Sequence, residues 1–274
     1  MKTKIIAEIG WNHMGEASLA KDMISSAANA GATIAKFQYW DPKHLIKGEW
    51  DVDGRREIYE KAALNPEKIL ELQSICGENN IGFLISVFGT NGAKVVKDLN
   101  INSIKIPSHE VANKKLINYC SENFDEIYFS SGASTEGEVT YANQVFKNNK
   151  NNYCLMHCIS SYPCPSEKSN LPRLEWLNSL HENIGLSDHT QSLIAPSISL
   201  SYGVSVIEKH FTTDKNLPGR DNKFALDPAE FELMVKNIQE SEKMNINHGI
   251  DFIDIETDTV KNYRGRWEPA DYES

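Results

Sequence analysis

Two short segments late in the chain, Ser187-Asp188-His189-Thr190 and Glu208-Lys209-His210-Phe211, each close an apolar run and present one imidazole at its carboxyl end. Imidazoles on the ends of neighbouring strands can converge on one divalent cation and leave positions open for substrate. Earlier runs end in other chemistry-bearing residues. Glu8 closes the first, with Asn12 and His13 in the loop beyond it. Lys36 and Gln38 are two apart in the second and so face one side of it. Ser86 lies in the third, and Lys105 in the fourth, followed by Ser108 and Glu110. The fifth ends in Ser130-Ser131-Gly132, and the sixth in His157 with Ser160, Ser161 and Tyr162 after it. Hydroxyls and backbone N–H groups at a strand end can cradle a phosphate. A lysine inside a buried strand is costly unless it has a task or a partner. The set therefore suits a phosphorylated or carboxylated substrate next to a metal-bound oxygen atom. Plainer readings exist: Ser and Gly are common in any loop, and a single His is usually a satisfied core residue. The pairing of two His at consecutive strand ends is what favours chemistry.

Those residues need elements to carry them. Short β-rich runs at residues 5–9, 33–38, 82–87, 103–106, 126–129, 153–157, 183–186 and 204–209 predict eight strands. Between them lie helical segments at 17–30, stopped by Gly31, and at 92–99, 114–121, 136–146 and 193–202. Asn65-Pro66 reads as a cap followed by a first-turn proline, and Pro228 opens a last helix to Met244. Residues 39–64 read as one long polar loop. Strand–helix alternation without adjacent hairpins predicts a parallel sheet, and eight units in this length predict a closed (β/α)8 TIM barrel. A single domain, residues 1–244, is expected, with 245–274 as a tail. No Gly-x-Gly-x-x-Gly follows the first strand, which argues against a dinucleotide site.

The chain has 274 residues, 40% hydrophobic and 24% charged, an ordinary globular composition. Its formal charge of −10 disfavours nucleic acid and acidic membrane surfaces as partners. Five cysteines without a Cys-x-x-Cys pair predict reduced, buried thiols. No signal-peptide pattern or long apolar span is visible, so a cytoplasmic location is expected.

In the order Ala7-Glu8-Ile9-Gly10-Trp11-Asn12-His13-Met14-Gly15, Ala35-Lys36-Phe37-Gln38, Lys105-Ile106-Pro107-Ser108-His109-Glu110, Ser130-Ser131-Gly132, His157-Cys158-Ile159-Ser160-Ser161-Tyr162-Pro163, Gly185-Leu186-Ser187-Asp188-His189-Thr190 and Glu208-Lys209-His210-Phe211-Thr212, the chain resembles the sialic acid synthases. The resemblance spans nearly the whole barrel. It implies condensation of phosphoenolpyruvate with an N-acylated amino sugar or an aldose, giving a 2-keto-3-deoxy sugar acid and phosphate. It implies a divalent cation at His189 and His210, typically manganese, with magnesium or cobalt as alternatives. Lys36, Lys105, Ser130 and Ser187 would hold phosphoenolpyruvate, with Gln38, Ser86, Ser108, Ser160, Tyr162, Asn12 and His13 as further substrate contacts. Glu8, Glu110 and Asp221 would be the working carboxylates. A homodimer is the family-like expectation.

Departures accompany the resemblance. The third strand reads Leu84-Ile85-Ser86-Val87-Phe88 where the family shows Ser-Thr-Pro-Phe, so Ser86 stands in for the threonine. Arg220 replaces the proline before Asp221, and Ala225 a serine. The resemblance does not extend to the antifreeze-like C-terminal domain, which in the family gives the sugar pocket an arginine across a dimer. Either the tail residues Arg264, Arg266 and Trp267 or the loop 39–64 is expected to act as the lid instead. Two other functions fit less well. A Schiff-base lyase or aldolase using Lys105 or Lys36 leaves the His pair idle, and a non-catalytic sugar-acid binding subunit leaves Glu8 and both lysines without work.

Overall fold

The first strand, β1 (Lys4–Gly10), pairs in parallel with the second, β2 (Ile34–Tyr39), and with the last, β8 (Val204–His210), so the sheet has no free edge. In the computed structural model, which describes residues 3–268, the other strands are β3 (Gly82–Val87), β4 (Ser103–Ile106), β5 (Glu126–Ser130), β6 (Asn152–His157) and β7 (Ile184–Asp188). They close in sequence order into an eight-stranded parallel barrel. The expected fold class is the one observed.

The helices are α1 (Ala17–Asn29), α2 (Arg55–Ala62), α3 (Pro66–Glu78), α4 (Thr90–Asp98), α5 (Lys114–Asn123), α6 (Glu136–Asn148), α7 (Arg173–Leu180), α8 (Ala195–Ser199), α9 (Pro228–Met244) and α10 (Thr257–Asn262). Local chemistry sets several starts. The Asn65 side chain accepts from the Lys68 N–H ahead of Pro66, and capping boxes at Thr135 and Asp227 open α6 and α9. Three expectations need correction. The loop 39–64 contains α2 and two 3-10 turns, Pro42–His44 and Glu49–Asp51. Helix α7 was not anticipated from the pattern, and the segment 193–202 gives only the short α8 and a 3-10 turn. Short helices carry too few apolar repeats for periodicity to register.

Side chains alternate along each strand, and the closed sheet gives that alternation two destinations. Outward residues such as Ile5, Ala35, Ile85, Ile104 and Phe129 join the main core under the helices. Inward residues at the amino end form a second apolar cluster of Ile6, Leu84, Tyr128, Cys154, Met156 and Val206. The barrel is thus plugged by packing at one end and polar at the other, where the predicted site residues lie.

Helix α9 returns the chain to the plugged end: the Thr3 N–H, just ahead of β1, donates to Glu242 Oε1 at 2.6 Å. Residues 245–268 leave from there, with Ile250, Ile255 and Trp267 exposed. Pro269 and the residues after it lie outside the described residues. Among the described residues, no helix is long and apolar enough to cross a membrane.

The loop after β1 is held against α2 at Gly15, where φ is +78° and an added Cβ would lie 2.1 Å from the Lys61 carbonyl oxygen. Backbone cannot yield there as a side-chain tip can. Gly15→Ala is expected to cost about 1–3 kcal/mol in urea unfolding.

Candidate active site

At the polar end, the loops surround a cleft of about 870 Å³. Glu208, inward on β8, organises its floor. Its Oε2 accepts from Lys105 Nζ at 2.9 Å, and its Oε1 accepts from Ser187 Oγ at 2.9 Å. Lys36 Nζ lies 3.2 Å from the same Oε1 and 3.2 Å from Glu8 Oε2, and donates to Ser86 Oγ at 3.1 Å. Glu8 Oε2 faces that ammonium without a hydrogen bond, while Glu8 Oε1 accepts from Gln38 Nε2 at 2.5 Å. Two carboxylates and two ammonium groups therefore alternate in a buried chain. Any one alone would be driven to its neutral form; alternation offsets that cost, least for Glu8, which meets only one ammonium.

Their proton affinities diverge. Burial pushes the Glu208 carboxyl up, but Lys105 and Lys36 outweigh it and hold it well below the usual carboxylate range. Glu8 has only Lys36 close by; burial dominates and raises it to about 7. Burial lowers Lys105, and Glu208 only partly opposes this. For Lys36, Glu208 and Glu8 together outweigh burial and raise it. The site thus pairs a fixed anion with a carboxyl poised near neutral pH.

Above this floor stand His189 and His210, ring centroids 5.6 Å apart. His189 Nδ1 lies 2.7 Å from the Ile159 carbonyl oxygen, which can only accept, so the proton sits on Nδ1 and Nε2 keeps its lone pair. His210 Nδ1 is buried without a hydrogen bond, 3.8 Å from Asp221 Oδ2. Burial pushes both imidazoles down to about 4, which leaves them neutral, the form that binds a cation. Among the described residues, no group of three or more His, Cys, Asp and Glu gathers as a closed metal site. Two neutral imidazoles fit an open site completed by water and substrate, not a structural zinc centre. Tyr162 packs against both rings, at 4.2 Å from His189 and 5.8 Å from His210.

Behind the cleft-lining Cys158 and Ser108, Gly132 is closely packed. An added Cβ at Gly132 would lie 2.4 Å from Ser160 Oγ and 2.5 Å from Cys158 Sγ. Ser108 and Ser160 share a hydrogen bond at 2.7 Å beside it, and the buried Ser130 Oγ has no partner.

Residues 23–249 match the model of the NeuB family. The chain belongs to the NeuB family. An N,N'-diacetyllegionaminic acid synthase of Campylobacter jejuni is 32% identical over 257 residues, covering 88% of this chain and 77% of that protein. A pseudaminic acid synthase of the same organism is 30% identical over 274 residues, covering 95% of this chain and 79% of that one. The sialic acid synthetase of Leptospira borgpetersenii, solved with citrate, superimposes with a TM-score of 0.87 at 28% identity, covering 97% of this chain and 93% of that one.

On this NeuB-family barrel, Glu8, Lys36, Gln38, Ser86, Lys105, Ser108, Glu110, Ser130, Tyr162, Ser187, His189, His210 and Asp221 all line the cleft. Glu110 accepts from Asn113 Nδ2 at 2.7 Å, and Asp221 from Trp11 Nε1 at 2.7 Å. Asn12, His13 and Ser160 are placed differently. Asn12 is buried and donates to the Phe211 carbonyl at 2.8 Å, while His13 accepts from the Gly15 N–H at 3.1 Å and packs on Phe37. Both tie the β1 loop to its surroundings and do not line the cleft. Ser160 reaches it only through Ser108. His157 points outward, 2.8 Å from the Ser169 carbonyl. The largest omission is the centre itself: Glu208 was noted at a strand end but given no role, although its spacing two before His210 puts both on one side of β8.

None of the tail residues 245–268 lines the cleft, because the tail departs from the opposite end of the barrel. The loop 39–64 does, through residues such as Trp40, Trp50 and Tyr59.

Removing Glu208 would take from buried Lys105 the carboxylate it is bonded to and leave Lys36 with Glu8 alone. Glu208→Ala is expected to cost about 3–5 kcal/mol, the range for breaking a buried ion pair from one side. Urea unfolding of the purified variant against the parent protein measures it.

Proposed function

We propose that this chain is a nonulosonic acid synthase, condensing phosphoenolpyruvate with the aldehyde of an N-acylated amino sugar or an aldose. The products are a 2-keto-3-deoxy sugar acid and phosphate. The observation that carries the reading is the Glu8–Lys36–Glu208–Lys105 chain lying directly beneath the His189–His210 pair in one cleft. An anion-binding floor next to an open cation site is what that pair of substrates requires, and the synthases among the relatives support it.

In this reading, Lys36, Lys105, Ser130 and Ser187 neutralise and orient the carboxylate and phosphate of phosphoenolpyruvate, with the unpartnered Ser130 Oγ as a ready donor. A divalent cation held by His189 and His210, manganese by preference and magnesium or cobalt otherwise, would supply a Lewis acid for the acceptor's carbonyl oxygen. Orientation brings C3 of phosphoenolpyruvate over the aldehyde carbon, where the new carbon–carbon bond forms. The cationic C2 left behind takes up water. Glu8, poised near neutrality, accepts the proton of that water, which is returned to the alkoxide formed from the aldehyde, and the tetrahedral intermediate expels phosphate with C–O cleavage. Glu110 and Asp221, which also line the cleft, address the sugar. The five buried free thiols support a reducing, cytoplasmic setting for this chemistry.

A Schiff-base reading has one observation in its favour, the lowered proton affinity of Lys105. Lys105 Nζ is already bonded to Glu208 at 2.9 Å and contacts Met156 Sδ at 3.1 Å, and the imidazole pair has no part in such a reaction.

Phosphate release from phosphoenolpyruvate, followed with manganese across a panel of N-acylated amino sugars and aldoses, tests the proposal. Release that depends on a sugar and stops on adding EDTA is expected. Silence across the panel when phosphoenolpyruvate does not bind would sink it. The pH profile tests Glu8: as the base it must be ionised, so kcat/KM should fall as pH drops through about 7. Glu8→Gln should remove that limb and lower kcat by roughly 10²–10⁴.

A further inference from the structure

The anion-binding floor is short of positive charge for the substrate proposed to lie on it. Lys36 and Lys105 already face Glu208 and Glu8, so at most one positive charge is left over when Glu8 is protonated. Phosphoenolpyruvate brings a carboxylate and a phosphate, together roughly −2.5 to −3 near neutral pH. Arg220, the guanidinium that lines the cleft, comes from the loop of Asp221, on the side of His210. A second guanidinium, Arg173, stands behind the Ser130-Ser131-Gly132 turn.

Arg173 opens α7, where a cation meets the positive end of the helix dipole, so local helix chemistry disfavours it there. Its contacts account for the placement. Alternation along β5 turns Ser130 into the cleft and Ser131 away from it. Arg173 Nη2 donates to the Ser131 carbonyl and, at 3.0 Å, to Ser131 Oγ. The Ser131 N–H and Oγ both donate to the Met156 carbonyl, at 2.8 and 3.1 Å. Ser134 Oγ donates to the Ser131 carbonyl at 2.7 Å. Every polar group of Ser131 is therefore engaged, while its neighbour Ser130 Oγ is buried and unpartnered.

The charge itself is unmatched. Among the described residues no carboxylate pairs with Arg173, and its Nε is buried without a hydrogen bond. A guanidinium stays charged even so. Its field reaches inward: burial pushes His157 down to about 4, and Arg173 adds to that. It also reaches Cys158, which lines the cleft and packs against Gly132.

We propose that Arg173 is a positioning residue for the anionic end of phosphoenolpyruvate. Through Ser131 it locks the turn that presents Ser130 Oγ, and its charge adds the positive field that the floor lacks. This rests on the synthase reading and deepens it. The guanidinium does not line the cleft, so it acts on the substrate through the turn and through space.

The test compares Arg173→Gln, which removes the charge but keeps an amide donor, with Arg173→Lys, which keeps the charge. Phosphoenolpyruvate binding is read by calorimetry in manganese without sugar, an arm that needs no acceptor. KM for each substrate is read by phosphate release. Arg173→Gln should weaken phosphoenolpyruvate roughly tenfold in both readouts, and Arg173→Lys should lie within about threefold of the parent protein. In both variants the acceptor KM should stay within about twofold, as should manganese affinity read by electron paramagnetic resonance. A merely structural role would not confine the loss to one substrate. Should Arg173→Gln not fold, Ser131→Ala decides. It frees one contact and leaves the charge, so the phosphoenolpyruvate KM should rise roughly threefold, and an unchanged value overturns the inference. Unchanged phosphoenolpyruvate affinity in Arg173→Gln overturns it too, as do equal losses in Arg173→Gln and Arg173→Lys or an acceptor KM that rises in step. Each of these leaves the synthase reading intact. A parent protein that neither binds phosphoenolpyruvate nor releases phosphate removes the synthase reading and this inference with it.

Discussion

A barrel interior cannot hold a lone charge, and Glu208 is how this chain holds two ammonium groups. Its carboxylate meets Lys105 and Lys36, and Lys36 in turn meets Glu8, so residues from β1, β2, β4 and β8 are joined across the polar end of the barrel. The pairing keeps the two ammonium groups where an anionic substrate can use them. It also divides the two carboxylates by role. Glu208, between two lysines, stays ionised, whereas Glu8, with one, is lifted by burial to about 7. A general base at neutral pH therefore comes from unequal sharing of two cations, with no special residue type needed.

The same strands do a second task on their outer side. Alternation turns Glu208 and His210 inward and Lys209 outward, and likewise Ser187 and His189 inward and Asp188 outward. Lys209 Nζ meets Asp188 Oδ2 at 2.5 Å behind the site and also donates to the carbonyls of Thr190 at 2.6 Å and Ser192 at 3.1 Å. That buried pair ties the strand bearing His210 to the loop bearing His189. The spacing of the imidazoles is thus fixed by a contact that neither imidazole makes.

Below the site the barrel is packed with Ile6, Leu84, Tyr128, Cys154, Met156 and Val206, so chemistry is confined to one end. Helix α9 returns the chain to the packed end, so residues 245–268 stand away from the cleft they follow in sequence. The loop between β2 and α3 rises from the polar end and covers it with rings. Reach is decided by which end of the barrel a segment leaves.

Much of this was legible in the chain. Strand–helix alternation, the Asn65-Pro66 and Pro228 starts, and polar residues closing apolar runs depend on local periodicity and capping. The barrel followed from them, the ordered motifs named the family, and thirteen of the sixteen named residues line one cleft. Three things were beyond local pattern. Asn12 and His13 sit in a motif with site residues, yet the loop turns them into backbone anchors, because side-chain direction after a strand is set by the turn. Glu208 was visible as a residue but not as a hub, since its partners lie 21, 103 and 172 positions away in the chain. Trp40 and Tyr59 lay in a stretch read as a polar loop, because α2 is too short to show a period, and only the fold brings them to Trp11. The sequence by itself determined which groups exist and that strand ends would present them. Tertiary structure alone decided which charges meet, because burial and pairing belong to the closed barrel and to no segment of it.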